Sequence, residues 1–107
     1  MRKIYLEIKC DGNVISKGYI LDLSAEGVGI RCKKEICKGA VVEVVTENGI
    51  LPRMKAEVVT LIVTERKDYI YRLGLKFISQ SKETRKCLEA FIRSKEKRED
   101  RRVSLDE

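Results

Sequence analysis

The sequence has 107 residues, with 23 Lys+Arg against 17 Asp+Glu, and therefore a formal net charge of +6. At 43% apolar and 37% charged it has the composition of a globular chain, and its length supplies one hydrophobic core rather than two. It contains no His and no Trp, which removes the commonest general base and with it the Ser-His-Asp and Cys-His arrangements.

Four Cys stand at positions 10, 32, 37 and 87, none of them in the C-x-x-C spacing of a zinc or dithiol site. They read as reduced thiols, mostly small core hydrophobes. No pair of carboxylates announces a catalytic site, so the expectation is a protein that is not an enzyme and carries no metal or cofactor. No apolar run approaches the roughly 20 residues that span a bilayer, and the N-terminus runs straight into an alternating segment without a signal-peptide core. The sequence thus predicts a cytoplasmic protein with no membrane insertion.

In chain order, residues 3–10 alternate strictly: Ile4, Leu6, Ile8 and Cys10 share one face, Lys3, Tyr5, Glu7 and Lys9 the other. A period of two is a half-buried strand. Asp11-Gly12-Asn13 supplies turn chemistry, and a second strand over residues 14–23 completes a hairpin. Residues 28–32 form a third strand, 33–39 a polar loop and 41–46 a fourth strand, followed by the turn Glu47-Asn48-Gly49. Two longer strands, 54–64 and 69–78, flank a polar turn at 65–68. Ser81 then reads as a helix N-cap, with Glu83 in the first turn. Thr84, Cys87, Leu88, Phe91 and Ile92 recur at helical spacing as a narrow apolar stripe. From Arg93 the apolar residues stop, and residues 93–102 hold six basic and three acidic side chains. Residues 103–107 have an extended look.

The predicted fold is mainly β: a small six-stranded antiparallel barrel over residues 1–78, closed because closure removes exposed edges. One C-terminal helix, 79–97, packs on the barrel, and an arginine-rich tail, 98–107, completes a single domain.

Two local patterns carry chemistry. The first is Asp22-Leu23-Ser24-Ala25-Glu26-Gly27, a D-x-S-x-x-G at a strand junction. Its carboxylate can accept from guanine N–H groups, its hydroxyl can donate or accept, and its glycine admits a flat ligand close to the backbone. The alternative is a turn in which both side chains cap local amides. The second is Arg98-Glu99-Asp100-Arg101-Arg102, an R-x-x-x-R whose guanidinium groups fork onto phosphates and stack on bases. The alternative there is a solvated, charged helix end.

Together these patterns resemble the PilZ domain, the bacterial receptor module for cyclic di-GMP. Gly18-Tyr19-Ile20-Leu21-Asp22-Leu23-Ser24 and Gly27-Val28-Gly29-Ile30 look like the family's second and third strands. Lys38-Gly39-Ala40-Val41-Val42-Glu43-Val44 and Arg72-Leu73-Gly74-Leu75-Lys76-Phe77 resemble a later loop-and-strand and the final barrel strand. The likeness covers about residues 4–92. It implies a cyclic di-GMP receptor, with Asp22, Ser24 and Gly27 reading guanine edges and sugar-phosphate. The same resemblance implies that Arg98 and Arg102, with Arg101 or Lys97 assisting, clamp phosphates and stack on guanine. It also implies a switch of conformation or partner binding that acts on a downstream protein. In the family the R-x-x-x-R precedes the first barrel strand, whereas here it follows the helix and a late-strand Trp is absent. Three arrangements follow: a tail returning to its own barrel, a tail exchanged with a second copy in a homodimer, or the opening of another domain. The competing functions are a basic barrel that binds nucleic acid, with Tyr69 and Tyr71 stacking from one strand face, and a PilZ module that binds only proteins.

Overall fold

A computed structural model of the chain describes residues 3–95 and 103–104. β1 (Tyr5–Cys10) and β2 (Asn13–Leu23) make the first hairpin, in which Asp11 and Gly12 both take positive φ. That backbone matches the twist of the strands it joins, and Asp-Gly is the sequence that adopts it at least cost. β3 (Gly27–Cys32), β4 (Val41–Thr46), β5 (Met54–Val63) and β6 (Tyr71–Phe77) follow. A short 3-10 turn, Glu47–Gly49, lies after β4. Its Asn48 and Gly49 take positive φ, and the Thr46 hydroxyl accepts the Leu51 N–H at 2.9 Å.

Every strand pair is antiparallel, in the order β1-β4-β5-β6-β3-β2, and pairing of β1 with β2 closes the circle as a six-stranded barrel. Four of these pairs join neighbours in sequence; β1 with β4 and β3 with β6 are the long-range closures. Inward residues alternate along the strands except where the register shifts on β1, β2 and β5, and Ile8, Ile20, Leu23, Ile30, Val44, Met54, Val58 and Leu73 fill the interior. α1 (Lys82–Lys95) packs on this core through Leu88 and Ile92, with Phe91 half-buried beside them. Ser81 caps it as expected: its hydroxyl accepts the Thr84 N–H at 3.1 Å. Arg93 and Lys95 sit in the last turn, where the helix dipole favours cations.

Two expectations need correction. Only Cys32 of the four thiols is buried; Cys10 is intermediate, while Cys37 and Cys87 are exposed, so the helix stripe is narrower than its spacing suggested. Tyr69 and Tyr71 do not share a strand face. β6 begins at Tyr71, and Tyr69 lies in the preceding turn with φ 53°, its ring edge-on to Tyr19 at 5.1 Å. A further two-residue strand, β7 (Val103–Ser104), pairs with β2 of the same chain, setting Ser104 opposite Asp22 and Val103 opposite Leu23. No helix among the described residues is long and apolar enough to cross a membrane.

Candidate ligand-binding site

Strict alternation would place Asp22 on the same face as Ile20, inside the barrel. A bulge prevents this: Ile20 opposes Ile30, Asp22 opposes Gly29, and Leu21 between them has no partner on β3. The extra residue turns Asp22 to the outer face while Leu23 still points into the core. β5 carries a matching irregularity. Val58 opposes Leu75 and Thr60 opposes Gly74, leaving Val59 unpaired and Thr60 outside.

Since Gly29 also opposes Gly74, four strands contribute one outward row: Asp22, Gly29, Gly74 and Thr60. The two glycines form its floor and the two bulge-directed polar side chains its walls. A Cβ on Gly29 would lie 2.8 Å from the Asp22 Oδ1, and one on Gly74 would lie 2.3 Å from the Thr60 Oγ1. The carboxylate and the hydroxyl therefore lean over the glycines from opposite sides.

This row forms the floor of an open trough of about 580 Å³, within the range of roughly 300–1,000 Å³ typical of small-molecule sites. Glu26, Arg72 and Lys76 stand at its rim, and Val59 and Ile62, 40% and 52% exposed, give it an apolar side. Charged groups of both signs, an apolar wall and a side-chain-free floor suit a flat, polar, anionic ligand.

Asp22, Ser24 and Gly27, singled out from the sequence, all line this trough. Ser24 also holds its own turn. Its hydroxyl accepts the Gly27 N–H at 3.3 Å, and its backbone N–H donates to the Gly27 carbonyl at 2.9 Å. Gly27 is required for strand packing, because a Cβ there would come within 2.3 Å of the Leu75 carbonyl oxygen. The turn is fastened to neighbouring elements: the Phe77 N–H donates to the Glu26 carbonyl at 2.9 Å, and the Arg85 guanidinium on α1 meets the Glu26 carboxylate at 3.7 Å. Arg98, Arg101, Arg102 and Lys97 lie outside the described residues. Sequence reading missed Gly29, Gly74, Thr60 and Lys76. Their one local signal was the broken alternation at Leu21 and Val59.

A second depression of about 310 Å³ lies elsewhere on the barrel, lined by Tyr5, Lys17, Gly18, Lys33, Glu47 and Tyr69 among others. The ring of Tyr19 beside it is covered, at 2% exposure, by edge-to-face contacts with Tyr5 and Tyr69. It presents no face to a nucleic-acid base. Among the described residues no three His, Cys, Asp or Glu side chains converge as a metal site.

A closed antiparallel barrel with one packed helix, and with its polar trough on the outer wall, defines a small ligand-binding module. The family model for the PilZ domain matches residues 2–94, and the chain belongs to that family of cyclic di-GMP receptors. No curated protein matches the chain. PilZ domains are ligand-binding receptors rather than enzymes.

Proposed function

We propose that this PilZ domain binds cyclic di-GMP in the trough over Gly29 and Gly74, and that binding changes what the domain presents to a downstream partner in the cytoplasm. A guanine lies against the glycine floor, where no Cβ holds it off. The Asp22 carboxylate accepts from the base's N–H groups, and Ser24 and Gly27 border the sugar-phosphate. Arg98 and Arg102, with Arg101 or Lys97 assisting, close on the phosphates from the tail.

The observation that carries this reading is the return of the chain to the site. β7 pairs with β2 at Asp22 and Leu23, and Arg102 immediately precedes Val103 in sequence. An R-x-x-x-R that follows the helix is thereby consistent with a motif acting on its own barrel. The fastening of the Asp22–Gly27 turn to α1 through Glu26 and Arg85 supports a route from ligand to helix. An exposed ion pair of this kind adds little stability, so the turn can shift without unfolding the barrel.

Titration calorimetry with cyclic di-GMP on wild type, Asp22→Ala, Arg98→Ala and Arg102→Ala tests the reading. Removing one charged hydrogen bond costs about 1.5–3 kcal/mol, so each variant binds about ten- to 150-fold more weakly. Wild type that does not bind at micromolar ligand refutes the function. Tight binding that survives all three substitutions refutes the site.

A further inference from the structure

Beside the glycine row, a second outward row crosses the barrel: Tyr5 on β1, Tyr19 on β2, Arg31 on β3, Arg72 on β6 and Ile62 on β5. Arg31 and Arg72 are direct cross-strand partners. Residues so placed have Cβ atoms only about 4.5–5.5 Å apart, and like charges there repel. A neighbouring carboxylate ordinarily relieves such a pair. Here none does: among the described residues the ion-paired cations are Lys17, Arg53 and Arg85, and neither Arg31 nor Arg72 has an acidic partner.

Arg31 is the more unusual of the two. Its Nε and Nη1 are buried and have no hydrogen-bond partner. Buried guanidinium nitrogens are normally satisfied, whereas these two carry three N–H donors without an acceptor on a fixed charge. On the β2 side the row is closed by Tyr19, packed against Tyr5 and Tyr69. On the β6 side Arg72 lines the trough together with Gly74 and Ile62, and Arg31 is its cross-strand neighbour one step behind the lining.

We propose that Arg31 and Arg72 form a phosphate subsite at the edge of the trough, where the two guanidinium groups take one phosphate of the nucleotide between them. This rests on the cyclic di-GMP reading. It adds a cationic contact borne by the barrel strands themselves, for one of the ligand's two phosphates. An anion placed there neutralises the cross-strand repulsion. Arginine is the residue type suited to this, because its planar fork matches a phosphate's oxygens.

The experiment compares wild type with Arg72→Gln and Arg31→Gln, measuring the ligand-free thermal midpoint and the affinity for cyclic di-GMP at low and high KCl. Relief of the repulsion raises, or leaves unchanged, the ligand-free midpoint of Arg72→Gln, while its affinity falls about tenfold or more and becomes less sensitive to salt. A purely structural arginine would lower the midpoint when removed. Arg31→Lys keeps the charge in the partly buried position and recovers part of the affinity lost in Arg31→Gln. Wild type that fails to bind overturns the cyclic di-GMP reading and the subsite with it. Wild type that binds, alongside Arg72→Gln and Arg31→Gln variants of unchanged affinity and salt dependence, overturns the subsite alone.

Discussion

Gly29→Ala separates the needs of the site from the needs of the fold. The added Cβ meets Asp22 Oδ1 at 2.8 Å and Cγ at 3.2 Å, the end of a side chain that can rotate away. Replacing a strand glycine by alanine itself favours the folded state by about 0.5–1 kcal/mol, chiefly by restricting the unfolded chain. Displacing the carboxylate offsets a gain of that size, so the net change in stability stays within about 1 kcal/mol. Gly27→Ala is the contrast. Its Cβ falls 2.3 Å from the Leu75 carbonyl oxygen, against a carbon–oxygen approach of about 3.3 Å. β3 and β6 must part by about 1 Å, with a cost of about 1–3 kcal/mol or more. Urea denaturation of both variants measures these costs. Calorimetry then gives the consequence: Gly29→Ala loses both the flat floor and the placement of Asp22, and binds cyclic di-GMP about ten- to 150-fold more weakly. A Gly29→Ala protein that binds like wild type, or is destabilised as much as Gly27→Ala, refutes this account of the trough.

The remaining predictions concern thiols and packing. With a thiol-specific chromogenic reagent, Cys37 and Cys87 react fast, Cys10 more slowly, and Cys32 only on unfolding. Burial pushes the Cys32 thiol above the ordinary range, against smaller lowering by hydrogen bonds to Ser16 and Lys34. The folded state thus keeps that proton to higher pH than the unfolded chain. Stability falls as pH rises above about 8.5, by at most about 1.4 kcal/mol per pH unit from this group, and Cys32→Ala removes that part of the slope in pH-dependent denaturation. Leu88, fully buried where α1 meets the barrel, costs about 2–5 kcal/mol as Leu88→Ala in the same assay; a loss below 1 kcal/mol would show that the helix does not share the core.

What the sequence disclosed follows the range of each interaction. β1 was legible because four apolar residues alternate over a stretch with no competing signal, and α1 because a serine cap precedes two strongly apolar positions. Both depend on neighbours within one turn or hairpin. Asp22 was recognised as a residue type at a spacing, but its direction was not legible, since parity with Ile20 assigns it to the core. Only the bulge at Leu21 reverses it. Thr60 is the same case on β5. Gly29 and Gly74 meet through β3–β6 pairing, a closure between strands more than forty residues apart in sequence, and nothing local foretells it. Cys87 was misread because an apolar residue type at helical spacing was assigned to the buried face, when α1 buries only Leu88 and Ile92. Tyr69 was assigned to a strand by its β-prone neighbours, whereas the turn before β6 holds it at positive φ, a backbone that pattern reading does not anticipate for a bulky residue.

If cyclic di-GMP binds as proposed, it contacts the outer face over Gly29 and Gly74. Amide chemical-shift mapping during a titration of the isotope-labelled chain tests it most directly. The largest shifts are expected at Asp22, Ser24, Gly27, Gly29, Gly74 and Thr60, with the amides of Tyr5, Lys17 and Glu47 around the second depression unmoved. Shifts concentrated around that second depression, or none at saturating ligand, would contradict it.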